Sequence, residues 1–154
     1  MRFFSSIYES WREIQYEKYE KLELDRRLEK KRVLDAGASC CFLSDFLKER
    51  GVRAELISLD SDIQALKRCI SERVAGDVSK LPFRDEIFDV IVCMDVLHLS
   101  KDLDLRPLRR GGIAIVGVPE RHRKILLEWL RDREAEIFEI NGREREIVAF
   151  VTRP

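Results

Sequence analysis

The sequence predicts an α/β protein, a doubly wound and mostly parallel seven-stranded sheet that finishes in an antiparallel C-terminal hairpin. Three observations predict it. Apolar, strand-like runs alternate with amphipathic helical segments through five β/α units. One of those runs, FDVIVCMDV, is nearly continuous in apolar residues, as a strand covered on both faces must be. The last two β-rich runs, AEIFEI and EIVAFVTRP, are joined by NGRE, and Asn-Gly is a strong hairpin signal. Repeated β-α alternation means right-handed crossovers, hence a parallel sheet with helices on both faces. The hairpin then inserts one antiparallel strand between the fifth strand and its neighbour.

From Ser5 to about Lys30 the chain reads as helix, with Ile7, Trp11, Ile14 and Leu22 at roughly helical spacing. RVLDAG is the first strand and ends at Gly37; FLSDFLKER follows as a helix closed by Gly51. AELISLD is the second strand, ending at Asp60, and SDIQALKRCI a helix capped by Ser61 or Asp62. RVAGD is a short third strand and FDVIVCMDV the fourth. KDLDLRPLRR reads as a short helix interrupted by Pro107, and GGIAIVGVP as the fifth strand. ERHRKILLEWLRDRE is a helix with Ile125, Leu126, Trp129 and Leu130 on one side. No repeat or linker divides the chain, so residues 1–30 form an N-terminal helical segment and 31–154 one domain.

At 154 residues there is room for a real core, and 45% hydrophobic residues place the chain among folded rather than disordered proteins. Lysine plus arginine balances aspartate plus glutamate at 29 each, which offers no general attraction to nucleic acid or to an anionic membrane. The basic trio Arg106, Arg109 and Arg110 reads as a solvated helix end. MRFFSSIYES lacks the apolar run of a signal peptide and no stretch is long enough to span a bilayer, so a cytoplasmic protein is expected. One Asn and two Gln among abundant charged residues point to a thermophilic source. The four cysteines include no C-x-x-C pair and read as small buried thiols. No metal is expected, that reading being preferred to a site built from Cys40, Cys41, Cys69 and His98.

Ligands of a doubly wound sheet bind outside the carboxyl ends of its strands. Three acidic residues fall at such ends: Asp35 near the first, Asp60 after the second and Asp77 after the third. A carboxylate after the second strand can accept from both hydroxyls of a ribose, and one after the third from an exocyclic adenine amine. The pattern describes an adenosine pocket.

These residues carry a family resemblance. VLDAGASCC resembles the first motif of class I S-adenosylmethionine-dependent methyltransferases, an acidic residue followed by a glycine-rich turn, and ELISLDSD is similar to their second. GDVSKLPFRDEIFDVIVCMDVLHL resembles the third and fourth motifs of the type 11-like subgroup, which acts mainly on small molecules and also on some RNA and protein substrates, and LRRGGIAIVGVP its approach to the fifth strand. The match runs in order from about Val33 to Pro119. It implies S-adenosylmethionine as cofactor, with Asp35 and the backbone of Gly37 and Ala38 facing the methionine end. By the same resemblance Asp60 would hold the ribose, Asp77 and the Val78 amide would read the adenine, and Met94 would line the pocket. The resemblance leaves the acceptor undetermined and favours a small molecule. A G-x-G-x-x-G dinucleotide turn starting at Gly37 would need glycines at Ser39 and Phe42, which disfavours a nicotinamide cofactor.

One departure stands out. The family's alternating glycines are here Gly37, Ser39 and Cys41, so Cys41 brings a side chain where backbone usually approaches the ligand. Methyl transfer from an activated sulfonium needs mainly an aligned nucleophile, and a base only where the acceptor must lose a proton. Asp95 and His98, just past the fourth strand, stand where an acceptor should arrive, with His98 the candidate catalytic base. The N-terminal helix carries Phe3, Phe4, Tyr8, Trp11, Tyr16 and Tyr19, as a lid, a packing helix or a homodimer contact. The expected activity is methyl transfer; the rival is a catalytically silent domain acting as a protein-binding or cofactor-sensing module.

Overall fold

The computed structural model describes residues 2–154, with side chains from Glu9 onward, so Phe3, Phe4 and Tyr8 lie outside the described side chains. Its elements are α1 (Arg2–Lys21), α2 (Leu24–Arg27), β1 (Arg32–Ala36), α3 (Phe42–Glu49), β2 (Glu55–Asp60), α4 (Ile63–Leu66), β3 (Glu72–Ala75), β4 (Phe88–Met94), α5 (Leu97–Ser100), β5 (Leu108–Pro119), α6 (Arg123–Trp129), β6 (Ala135–Asn141) and β7 (Arg145–Thr152). One 7-stranded sheet has the order β3-β2-β1-β4-β5-β7-β6. Strands β1 to β5 pair parallel, and β7 pairs antiparallel with both β5 and β6. The expected insertion of one hairpin strand beside the fifth is what the chain does.

Period-2 alternation along these strands builds two cores. Leu34, Ile91, Cys93, Ala114, Val116, Ile147 and Ala149 face one side, where Leu97, Leu126 and Leu130 from α5 and α6 cover them. Val33, Val90, Val92, Met94, Ile115 and Val148 face the other, under Tyr19, Leu22, Leu28, Phe42, Leu43 and Phe46 from the α1–α3 side. Both faces of β4 are thereby buried, which is why its sequence reads as one apolar run.

Three helical expectations need correction. The N-terminal helix is broken at Glu23, which adopts φ 54°. Leu22 and Leu24 are both buried, yet residues two apart point to opposite sides of an α-helix, so one continuous helix could not bury both. The segment 101–107 is not helical, and Leu108–Arg110 already belong to β5. Pro107 disfavours helix at Arg106, while Asp102 and Asp104 accept backbone N–H groups of Leu103 (2.8 Å) and Arg106 (3.0 Å) that a helix would otherwise use. The basic trio is therefore no helix end: Arg106 pairs with Asp85 and Asp104, Arg109 with Asp89 and Arg110 with Glu86. Finally, α4 spans only Ile63–Leu66, held by Asp62, whose carboxylate accepts from Gln64 N–H at 2.9 Å.

Helix α1 is fastened to the sheet by a buried charge. Lys18 is 1% exposed, and its Nζ lies 2.9 Å from Asp95, 3.1 Å from Glu144 and 2.8 Å from Glu146. Burial works against this ammonium, but Asp95 and Glu146 outweigh it and raise the Lys18 pKa above the ordinary lysine value. Lys18→Met should cost about 3–5 kcal/mol, because it leaves carboxylates buried without their cation. Arg26→Ala, which removes an exposed pair with Glu23, should cost under about 1 kcal/mol. Urea denaturation of both variants checks this, and similar midpoints would refute the assignment.

Candidate functional site

A cavity of about 890 Å³ opens at the carboxyl edge of the sheet, within the range of small-ligand sites. Asp35, Asp60, Asp77 and Asp95, from or just past β1, β2, β3 and β4, contribute to its wall. Gly37, Ala38, Val78 and Met94 also line it, so the structure gathers every expected cofactor residue around one cavity. Trp11, Gln15 and Tyr19 bring α1 to the same wall.

The turn after β1 keeps a glycine-type backbone in spite of its side chains. Gly37, Ser39 and Cys41 all adopt positive φ, at 83°, 49° and 61°. At Gly37 nothing else fits, since a Cβ would stand 2.3 Å from Val96 Cγ2. Ser39 and Cys41 hold a left-handed conformation that costs non-glycine residues about 1–2 kcal/mol each. The N–H groups of Gly37 and Ala38 both donate to Leu59 O, at 2.8 Å and 2.8 Å, so these two donors face β2 rather than a ligand. The two residues line the cavity with the rest of their backbone.

Cys41 does not line the cavity. Its side chain is fully buried in a small cluster with Ala38, Leu66 and Cys69, and it is joined to Cys69 with the Cα atoms 5.2 Å apart. The expected crowding of the cofactor by Cys41 therefore does not arise, and two of the four cysteines are bridged rather than separate thiols. Cys40, partly exposed, does line the cavity, while Cys93 is buried in β4.

Asp60 is held by both neighbouring turns: Oδ2 accepts from Ser39 N–H at 2.8 Å and Oδ1 from Asp62 N–H at 2.9 Å. Each oxygen keeps a further lone pair. Asp77 Oδ1 accepts from the N–H and hydroxyl of Ser79 at 2.9 and 2.8 Å, which hold its carboxyl below the ordinary value. Asp35 is buried, and desolvation followed by the charge of Asp60 pushes its carboxyl up to about 7. A cationic ligand nearby would restore its charge.

At Asp95 burial raises the carboxyl, but Glu146 and Lys18 prevail and hold it below the ordinary value. Burial, with Asp95 beside it, pushes Glu146 up to about 9. Lys18 Nζ stands 2.8 Å from Glu146 Oε2, whereas Asp95 Oδ1 and Glu146 Oε1 are buried without a partner; a proton held by Glu146 supplies a donor there. Gln15 Nε2 and Lys18 Nζ donate to Asp95 Oδ2 at 3.2 and 2.9 Å. Sequence reasoning missed Gln15, Lys18 and Glu146. The signal was present for the first two, which share the 15, 18, 19, 22 helical stripe with buried Tyr19 and Leu22.

His98 stands apart from this wall. Its ring stacks on His122 at 4.4 Å, and burial, followed by the His122 charge, lowers its pKa. The structure thus places the expected catalytic base outside the cavity lining, because α5 turns its second residue toward the segment that precedes α6.

Residues 34–116, more than half of the chain, match the family model described as a methyltransferase domain. The chain belongs to that methyltransferase family. It is 30% identical over 89 residues to malonyl-[acyl-carrier protein] O-methyltransferase 1 of Coxiella burnetii, a match covering 54% of this chain and 32% of that relative. The chain thus spans about a third of the length of the curated relative it matches. Among solved structures, a SAM-dependent methyltransferase from Aquifex aeolicus superposes with TM-score 0.68 at 13% identity, covering 88% of this chain and 89% of that one. Another from Archaeoglobus fulgidus gives 0.65 at 15%, covering 92% and 94%. At such identities these two establish the fold. S-adenosylmethionine is the cofactor of this family, and the methyltransferase cavity, with hydrogen-bond acceptors and a desolvated carboxyl in its wall, suits a cationic nucleoside.

The raised Asp35 value has a consequence for stability. Because the folded value lies above the ordinary one of 3.8, the protonated carboxyl's contribution is complete below that pH and is lost as pH rises through about 7. Asp35→Asn cannot ionise, so its melting temperature should gain on that of the wild type between about pH 5 and pH 8. Parallel profiles in matched buffers would show that Asp35 is already charged at the lower pH.

Proposed function

We propose that this methyltransferase transfers the sulfonium methyl of S-adenosylmethionine to a small-molecule acceptor whose nucleophilic atom arrives already deprotonated. The observation that carries the reading is the ordered set of carboxylates around one cavity, with Asp60 aligned by two backbone N–H groups. Residues 31–154 supply the cofactor site and 1–30 contribute a wall through Trp11, Gln15 and Tyr19.

In this reading Asp60 accepts from the ribose hydroxyls, and Asp77 with the Val78 amide reads the adenine edge. Val78 is steadied there, its carbonyl accepting from Asp104 N–H at 2.9 Å. Asp35 lies toward the methionine end, where a positive charge draws its carboxyl back into the ionised form. Gly37 and Ala38 shape that end by close packing, and Met94 forms its floor. Bound S-adenosylmethionine supplies an electrophilic methyl; what the chain adds is alignment and exclusion of water.

The nature of the acceptor follows from which bases are left. Asp95 is engaged by Gln15, Lys18 and Glu146, and His98 lies outside the cavity lining. No histidine lines the cavity among the described residues. A carboxylate or thiolate acceptor asks for no base. The Coxiella relative, named as an O-methyltransferase of a malonyl group, supports a carboxylate. A cytoplasmic and thermophilic setting belongs to this proposal; the thermophilic part rests on the charge-rich, amide-poor sequence, and no helix among the described residues is long and apolar enough to cross a membrane.

Calorimetric titration with S-adenosylhomocysteine tests the site. Asp60→Ala should weaken binding roughly ten- to a hundredfold, the loss of charge-assisted hydrogen bonds worth about 1.5–3 kcal/mol. Asp62→Asn, which removes a nearby charge but keeps the cap on α4, should bind like the wild type. Equal losses would mean that nearby charge, and not the ribose contact, governs affinity. No binding by the wild type would favour the silent domain.

A further inference from the structure

The bridge between Cys41 and Cys69 joins two segments of the cavity wall. Cys41 ends the turn whose Ala38, Ser39 and Cys40 line the cavity, and Cys69 follows α4 in the segment that contributes Ser61 and Arg68. The two residues are 28 positions apart, with Cα atoms at 5.2 Å, inside the range a disulfide spans. Both bridged segments hold the same carboxylate, Ser39 N–H donating to one oxygen of Asp60 and Asp62 N–H to the other. Each segment is tied to the sheet, the turn through the Gly37 and Ala38 N–H groups on Leu59 O and the end of α4 through Arg73, which donates to the Leu66 and Lys67 carbonyls at 3.1 and 3.2 Å, but apolar packing between the two is slight. The apolar cluster around the bridge is Ala38, Cys41, Leu66 and Cys69 alone, α4 is a single short turn, and β3 beyond it is mostly exposed. With so little buried apolar contact between turn and α4, a covalent tie between them has weight.

We infer that the Cys41–Cys69 bond is a redox-controlled clamp on the cofactor cleft, closed by low-molecular-weight disulfides and opened by thiols. The inference rests on Asp60 as the ribose ligand. In closing, a thiolate of the pair attacks one sulfur of the small disulfide, forming a mixed disulfide and expelling one small thiol. The other protein thiolate then attacks the protein sulfur of that mixed disulfide and expels the second. The protein loses two electrons and two protons, and the small disulfide gains them as two thiols; a dithiol reverses the exchange. Both residues are buried, Cys69 slightly less than Cys41. Closed, the bond keeps the Ser39 and Asp62 amides converging on Asp60. Open, the turn and α4 lose their covalent tie, and the convergence of the two amides on Asp60 loosens with it. The cysteine at the family's third glycine position is thereby a crosslinking residue, and its side chain is accommodated because it points away from the ligand.

The full chain is equilibrated with oxidised or reduced glutathione, alkylated under denaturing conditions and mapped by mass spectrometry. The expected oxidised form carries label at Cys40 and Cys93 only and yields a Cys41–Cys69 peptide pair, whereas the reduced form carries label at all four. S-adenosylhomocysteine should bind the bridged form about three- to tenfold more tightly. By linkage, saturating S-adenosylhomocysteine should shift the thiol–disulfide ratio by that same factor. The bridged form should melt about 5–10 °C higher. Cys69→Ser should bind like the reduced wild type in either buffer, and the reduced wild type supplies the same comparison if that variant folds poorly. Four labelled cysteines after oxidation, a bridge through Cys40, or equal affinity in both states would overturn the clamp. If neither state binds while the bridge is still mapped, the reading of the pocket falls and the clamp with it, a result distinct from equal affinity.

Discussion

An ammonium group without water must have carboxylates around it, and Lys18 meets that requirement with three from distant parts of the chain. Asp95 ends the central strand, while Glu144 and Glu146 belong to the C-terminal hairpin. Withdrawing α1 would return Lys18 to solvent but leave Glu146 and Asp95 in an apolar setting, so the helix cannot lift without unmaking the network. Trp11, Gln15 and Tyr19 thus reach the cavity wall on a helix that this charge network ties to the sheet. The position of the cavity follows from charge pairing as much as from apolar packing.

Backbone conformation supplies the second constraint. Three alternate residues of one turn take positive φ, and only Gly37 does so at no cost. The turn is nevertheless held: Leu59 O accepts from two of its amides, Asp60 from a third, and Cys41 ties its end to Cys69. Strain in such a turn persists because its surroundings over-determine it. Side-chain identity at Ser39 and Cys41 changes the cost of the shape, not the shape.

Much of this was legible in the chain. Alternation along β4, β5 and β7 encodes two buried faces, and the strand-end aspartates encode the cavity edge, because both signals are local. The bridge was not legible, since residues 28 apart meet only through the β1–β2 crossover. Lys18 was hidden for a related reason. A lysine in a helix full of glutamates looks solvated until the hairpin, over 120 residues later, brings Glu144 beside it. The false helix at 101–107 came from weighing apolar spacing above Pro107 and the competing aspartates. His98 failed as a cavity residue because its sequence position was right while its direction depended on how α5 turns.

The strand order carries a consequence for how the protein is made. Strand β7, residues 145–152, lies between β5 and β6, so β5 keeps one row of backbone donors and acceptors unpaired until β7 itself has been synthesised. That edge carries Ile113, Ile115, Val116 and Val118, an apolar and β-prone run of the kind that pairs with other chains. A nascent chain halted before residue 145 would expose it, and the last strand threads in beside it as the capping piece. The segment that completes the sheet is thus also the one that shields a growing chain from its neighbours on a crowded ribosome.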